Sequence, residues 1–398
     1  MLKISVSFIY RNMFLFATFL LLICFGCKLD KDNTLLFDYN DVKKIEVEVI
    51  IEIAESENFI PGHLRDLILM PNGTMLVSDW DSRSIEQFSE EGIHMGTIAN
   101  EGRGPGEVTS FVQLFKGPGD SLMVRYRGMF NHVDFFARNK KDGLYRYERT
   151  KMFEGPSERY IHIIGQISDN EFLATARQGP SYLQLQTEGV ENYDYAPVAV
   201  VDAGENILRD SLYILKVPNP ETDFQDRSIN VIGMPPYQYQ DRLKIMPDGR
   251  FLIGRPDSSI VYMYNYNSHY KPERKVPIQA KKRSVEKKDL DYILRDRNRN
   301  TRSRLETRVP KYKPPFMDLW ISENQILLHI DTSESGKEMV ILSMEGDPSG
   351  RFSLSDFDDI RYFKGNRIYA LHKDPNSGHG IRIYQLDVKM QHDLQVFN

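Results

Sequence analysis

Two short stretches carry residue types that chemistry needs. The first is Asp79-Trp80-Asp81, in "LVSDWDSRS". Carboxylate oxygens suit a hard cation such as calcium. An indole face offers a rigid apolar platform with a polar edge, suited to a sugar. The plainer role for Asp79 is to accept hydrogen bonds from the backbone of an adjoining turn. The second stretch is "GRGPGEV", Gly102 to Val108, where Arg103 and Glu107 flank a glycine-rich turn. A phosphate cradle needs Gly-Lys-Ser/Thr after the glycines, and a dinucleotide fingerprint needs G-x-G-x-x-G opening a helix. Neither spacing is present, and Pro105 removes a backbone donor. The glycines read as a tight corner whose φ angles other residues avoid. The functional alternative places Arg103 and Glu107 on a ligand at a channel mouth.

Other candidates are weaker. The nine histidines show no zinc-site spacing. His372 and His379 flank "KDPNSG", which reads as a surface loop. No Gly-x-Ser-x-Gly elbow occurs. Asp79, Asp81, Asp257 and Asn170 would form a metal set of the lactonase type only if the fold brought them together. No catalytic residue and no metal ligand is assigned, and calcium is the only cofactor the carboxylates point to.

The N-terminus addresses the compartment. Lys3 and Arg11 precede the unbroken apolar run "MFLFATFLLLICFG", and polar sequence follows at once. A charged segment, then an apolar run too short to span a bilayer comfortably, is the pattern of a secretory leader. Gly26-Cys27 resembles a bacterial lipoprotein cleavage site, with Cys27 as the lipidated residue. Cys24 stands where leucine is usual in that signal. The resemblance implies a membrane-anchored protein of the bacterial cell envelope, on the outer membrane or facing the periplasm. Cys24 and Cys27 are the only cysteines, so no thiol would remain for catalysis. An exported chain with net charge −5 gives no basis for nucleic-acid binding.

These residues need elements to hold them. "LRDLILMPNGTMLVSDWDSRSIEQF" reads as strand, turn, strand, link, strand, and "DRLKIMPDGRFLIGRPDSSIVYMYN" repeats it. Asn-Gly and Asp-Gly predict two-residue hairpin turns, and the flanks carry strand-forming residues. Weaker copies turn at Gly117–Asp120, Asp169-Asn170, Glu323-Asn324 and Gly365-Asn366. Six such copies predict an all-β, six-bladed β-propeller. "KKIEVEVIIEIA", 43–54, is the expected closing strand beside the last blade, and "QHDLQVFN" is a further candidate there. Residues 281–310 break the β rhythm. Leu290, Ile293 and Leu294 predict a helix inserted between blades four and five, continuing as a basic tail through Arg295, Arg297, Arg299, Arg302 and Arg304. Residues 215–240 read as long loops. The resulting division is leader 1–26, tether 27–42 and one propeller 43–398.

The first blade, with its "MPNGTMLVSDWDSRSIEQFSEEG", resembles an NHL-type or TolB-like blade. "GRGPGEV" and "VPKYKPPFMDLW" are similar to segments of the six-bladed β-propeller lipoproteins of Bacteroidetes. That resemblance covers nearly the whole chain and implies fold and envelope location without a chemistry. The expected function is a monomeric, non-enzymatic binding or scaffold module for an envelope protein or a glycan. The alternative is a metal-dependent hydrolase or lyase with its site at the channel mouth.

Overall fold

Each turn-centred repeat folds as a four-stranded antiparallel sheet, and the innermost strands of successive sheets contact one another around a closed circle. The chain is an all-β, six-bladed propeller. The computed structural model describes residues 36–387, apart from 111, 127–131, 153–158, 169, 179–192, 203–205, 219–220, 226–227, 247–248, 266–270, 323, 334–335 and 377. The leader at 1–26, Cys24, Cys27 and "QHDLQVFN" lie outside the described residues, as do Asp169, Pro247, Asp248 and Glu323 of the predicted turns.

Blade 1 spans 64–99, blade 2 112–152, blade 3 159–218, blade 4 242–277 and blade 5 318–354. Blade 6 takes three strands from 358–386 and its outermost strand, Val47–Ile53, from the other end of the chain. That strand runs antiparallel to Gly378–Leu386, with Val47 opposite Leu386 and Ile53 opposite Ile381. The residues ahead of it also pack. Tyr39 is buried and its hydroxyl donates to the Pro315 carbonyl at 2.6 Å, while the Phe37 amide donates to Gln279 at 2.8 Å. The compact unit therefore begins at Phe37, where the sequence reading put a tether through residue 42.

The turns differ in detail from the two-residue expectation. The Met70 amide donates to the Thr74 carbonyl at 2.8 Å, so the first loop contains Pro71, Asn72 and Gly73. Only the glycine is left-handed, at φ 85°, and the Asn72 side chain accepts from the Thr74 amide at 3.1 Å. This is a type I turn closed by a left-handed glycine, with proline at the position that fixes its φ. In blade 4 the Met246 amide donates to the Arg250 carbonyl at 2.7 Å and Gly249 is left-handed at φ 83°.

The core is divided by junction. Six apolar clusters each join one blade to the next, so every blade face is buried against a neighbour. Fully buried side chains such as Leu64, Val124 and Ile383 each contribute about 1.5–3 kcal/mol.

Two segments depart from the reading of the sequence. Residues 281–310 hold two short helices, α1 (Lys287–Ile293) and α2 (Arg299–Glu306), between blades 4 and 5. Where an irregular basic tail was expected, the Asn298 side chain caps α2 by accepting from the Thr301 amide at 2.9 Å. Arg302 ion-pairs with Asp291 and Glu306, so part of the basic run is spent within the insertion. The expected loops at 215–240 contain a small hairpin, Glu221–Gln225 with Ser228–Gly233.

Candidate functional site

Innermost strands all begin on one side of the ring, here called the entry face, and turn back at the opposite side. The sequence-derived candidates lie on the entry face, away from its centre. Asp79 ends the second strand of blade 1 and is 3% exposed. Its carboxylate accepts from the amides of Gly62 at 2.7 Å, His63 at 2.9 Å and Asp81 at 3.0 Å. It thus ties the end of one strand to the segment entering the blade. Trp80 is 38% exposed and Asp81 is exposed beside it.

The loop "GRGPGEV" closes on itself. The Gly102 amide donates to Val108 at 3.2 Å and the Val108 amide to Asn100 at 2.8 Å. The Glu107 carboxylate accepts from the Gly104 amide at 2.6 Å and occupies the space where Gly102 would carry a side chain. Gly106 sits at φ 77° against the Tyr147 ring. Arg103 is exposed. None of Asp79, Trp80, Asp81, Arg103 and Glu107 lines the central cavity. The lactonase-type set is not assembled either. Asp257 is on a blade 4 link of the entry face, paired with Lys216 and Arg255, while Asn170 is on a blade 3 turn at the opposite side. Among the described residues no group of three or more His, Cys, Asp or Glu side chains is placed to hold a metal ion.

The channel at the centre of the ring is a cavity of about 930 Å³ with walls from all six innermost strands. It runs from Arg65, Asp318 and Asp359 near the entry face to Pro71, Ser168 and Gly249 at the opposite turns. That size suits a small-molecule or oligomeric ligand. Its rim is charged. Arg361 donates to the Asp359 carboxylate at 2.6 Å and the Arg65 carbonyl at 2.7 Å, and reaches Asp66 at 3.5 Å. Lys373 reaches Asp359 at 2.9 Å. Lys244 pairs with Asp318 at 3.2 Å and lies over the Trp320 ring.

The environments set these carboxylates apart. Burial pushes the Asp66 carboxyl above the usual carboxylate range, and Arg361 and the amides of Leu114 and Leu67 only partly offset it. Burial acts in the same sense on Asp318, but there Lys244 and Arg242 outweigh it and hold the carboxyl low. At blade 5, burial first and Lys337 second push the His329 imidazole down to about 4.

A recurring contact crosses the blade junctions. Arg125 of blade 2 donates to the Ile163 carbonyl of blade 3 at 2.5 Å. Arg242 of blade 4 donates to Met317, at the entry of blade 5, at 2.6 Å. Lys337 of blade 5 donates to the Asp358 carbonyl of blade 6, and Arg361 of blade 6 to Arg65 of blade 1. Four of the junctions thus carry a cation latched onto the next blade's innermost segment.

Motif reading missed this rim. Its trace in the sequence is the charged residue at the start of otherwise apolar strands, in "LRDLIL", "DRLKI", "FMDLW" and "DDIRYF". His372, expected in a surface loop, is buried at 5% exposure, with Nδ1 2.8 Å from Asp358, whose other oxygen accepts from Tyr384 at 2.5 Å. His379 rests edge-on against His63, with ring centroids 5.2 Å apart.

No protein-family model and no curated protein matches the sequence. Solved structures do align. A Bacteroides fragilis protein described as exported matches at 10% identity and TM-score 0.49, over 88% of this chain and 98% of that one. A DUF4221-family member from Bacteroides vulgatus matches at 11% identity and TM-score 0.46, over 87% and 100%. A catalytically inactive virginiamycin B lyase from Staphylococcus aureus matches at 8% identity and TM-score 0.43, over 85% and 99%. At such identities the likeness concerns the course of the chain alone and assigns no chemistry.

Proposed function

We propose that this chain is a lipid-anchored binding propeller of the bacterial cell envelope, which presents the entry face of its channel to a protein or glycan partner. The observation that carries the reading is the preformed cavity of about 930 Å³ with a charged rim latched across blades. Groups held in place before a ligand arrives reduce the ordering cost of binding. The envelope address comes from the leader and Cys27.

The test is crosslinking in intact envelopes, followed by capture of the wild-type chain and of a Lys244→Glu, Lys373→Glu variant. A partner enriched with wild type and lost with the variant supports the reading. Equal recovery with both sinks the channel as the site. Alkyne fatty-acid labelling that persists in Cys27→Ala would defeat the anchor. The competing metal-dependent hydrolase has a specific obstacle. The rim carboxylates Asp318 and Asp359 already face lysines and an arginine, which a divalent ion would have to displace. Calcium or zinc is expected to leave the melting midpoint within about 1 °C, where a native-state metal site would raise it by mass action.

A further inference from the structure

The rim carries more positive than negative charge, which is a property of its junction latches. Arg65, Lys244, Arg361 and Lys373 line the cavity, together with Asp66, Asp318 and Asp359. One layer behind stand the latches Arg125, Arg242 and Lys337, with Asp358. Seven cations thus surround four carboxylates, an excess of three in a chain whose net charge is −5.

The three latches are the informative ones. Arg125 donates to the Ile163 carbonyl and the Gln113 side chain and stacks over Phe115. Arg242 donates to a carbonyl, and Lys337 does the same. Among the described residues none of these three makes an ion pair. A carbonyl satisfies the N–H but leaves the charge in place, and the carboxylates that face these half-buried cations at longer range, Asp66 toward Arg125, Asp318 toward Arg242 and Asp358 and Asp359 toward Lys337, are already paired with Arg361, Lys244, Arg382 and Lys373. Burial pushes Arg125 down to about 10 and also lowers Lys337. Both shifts report positive charge held out of water.

From this placement we infer that the channel's ligand is an anionic oligosaccharide, whose carboxylate or sulfate groups supply the missing counter-charge at the entry end. The inference rests on the reading of the channel as a binding site and names the ligand class for it. A saccharide fits the rest of the wall. Asp66, Asp359, Gln113 and Gln166 offer acceptors and donors for hydroxyls, and Tyr362 offers aromatic surface. A purely apolar ligand would leave those polar groups unmatched.

The experiment is calorimetric titration of the full chain, purified in detergent, with three probes of one length. They are tetragalacturonate, a sulfated tetrasaccharide and a neutral galactotetraose, with inorganic sulfate as the free-anion control. At least one anionic saccharide is expected to bind. Its Kd should weaken about tenfold or more between 50 and 300 mM NaCl, as expected for contacts between exposed charges. Lys244→Gln and Lys373→Gln should each weaken it about five- to tenfold while keeping a cooperative melting transition well above the titration temperature. The carboxylated and sulfated arms tell which anion is read. Galactotetraose binding as tightly, no binding by either anionic saccharide, or binding unchanged in both lysine variants would each overturn the inference. Inorganic sulfate competing as well as the saccharide would reduce the site to a simple anion pocket and overturn the saccharide assignment. A partner captured in envelopes alongside any of these results would leave the binding-propeller reading standing and remove only this ligand.

Discussion

Asp79 illustrates how a residue with catalytic credentials is used for folding. Its carboxylate satisfies three backbone amides from two segments, and removing it strands donors that cost about 1–3 kcal/mol each when buried. Asp79→Ala is expected to lower stability by about 2–4 kcal/mol in urea titration, while Asp81→Ala and Arg103→Ala, both at exposed positions, stay within about 0.5 kcal/mol. Equal losses for all three would refute the distinction. His329 gives a pH signature of its own. Its imidazole is held neutral down to about 4, by burial and then Lys337, against an ordinary 6.5, with Asp318 and Asp331 pulling the other way. Between those values the unfolded chain binds a proton that the folded chain refuses, so stability is full above 6.5 and falls as the pH drops toward 4. The loss is about 3 kcal/mol over that window. Comparing wild type with His329→Gln at several pH values isolates it, because the variant keeps every other titrating group. Parallel curves would show that the histidine does not contribute.

At the scale of elements, the hairpins were legible because their signal is local. Pro71-Asn72-Gly73 and the apolar flanks state a turn and two strands within a dozen residues, and the closing strand announces itself by its β-branched run. The rim was not legible, because Asp66, Lys244, Asp318 and Arg361 come from four blades and meet only after closure. The candidates chosen by type, Asp79 and Glu107, instead bond to backbone within their own blade or link, which motif reading alone does not separate from a ligand site. The Arg361 contact also carries a stability prediction. Removing one partner of a half-buried ion pair leaves the other charge undercompensated, at a cost below the roughly 3–5 kcal/mol of a fully buried pair. Arg361 compensates Asp66 at the junction of blades 6 and 1. Arg361→Met should therefore destabilise, and Asp66→Asn in the same chain should recover at least about 1 kcal/mol. A double-mutant cycle with no coupling would mean that Arg361 acts through the Arg65 carbonyl alone.

For the whole molecule, closure decides what the charged rim can do. Four of the latches and all six apolar junctions join neighbouring blades, so each blade holds its neighbours' rim groups in register. The ring is completed by Val47–Ile53 on Gly378–Leu386, and that pairing sits beside the junction carrying Arg361, Asp66 and Arg65. Ile53 belongs to the apolar cluster between blades 6 and 1, and Ile51 packs against it. A chain begun at Phe37 is expected to keep the full cooperative melting transition. One begun at Ala54 loses the strand, exposes Ile381 and Ile383 along a free edge, and should be less stable by at least about 3 kcal/mol, which lowers the midpoint by on the order of 4 °C in a ring of this size. Because the same junction holds part of the rim, the shorter chain should also lose anionic-saccharide binding at temperatures where its blades remain folded. Retained binding with a lowered midpoint would show that the rim does not depend on closure, and would move the site away from the junction of blades 6 and 1 toward Lys244 and Asp318.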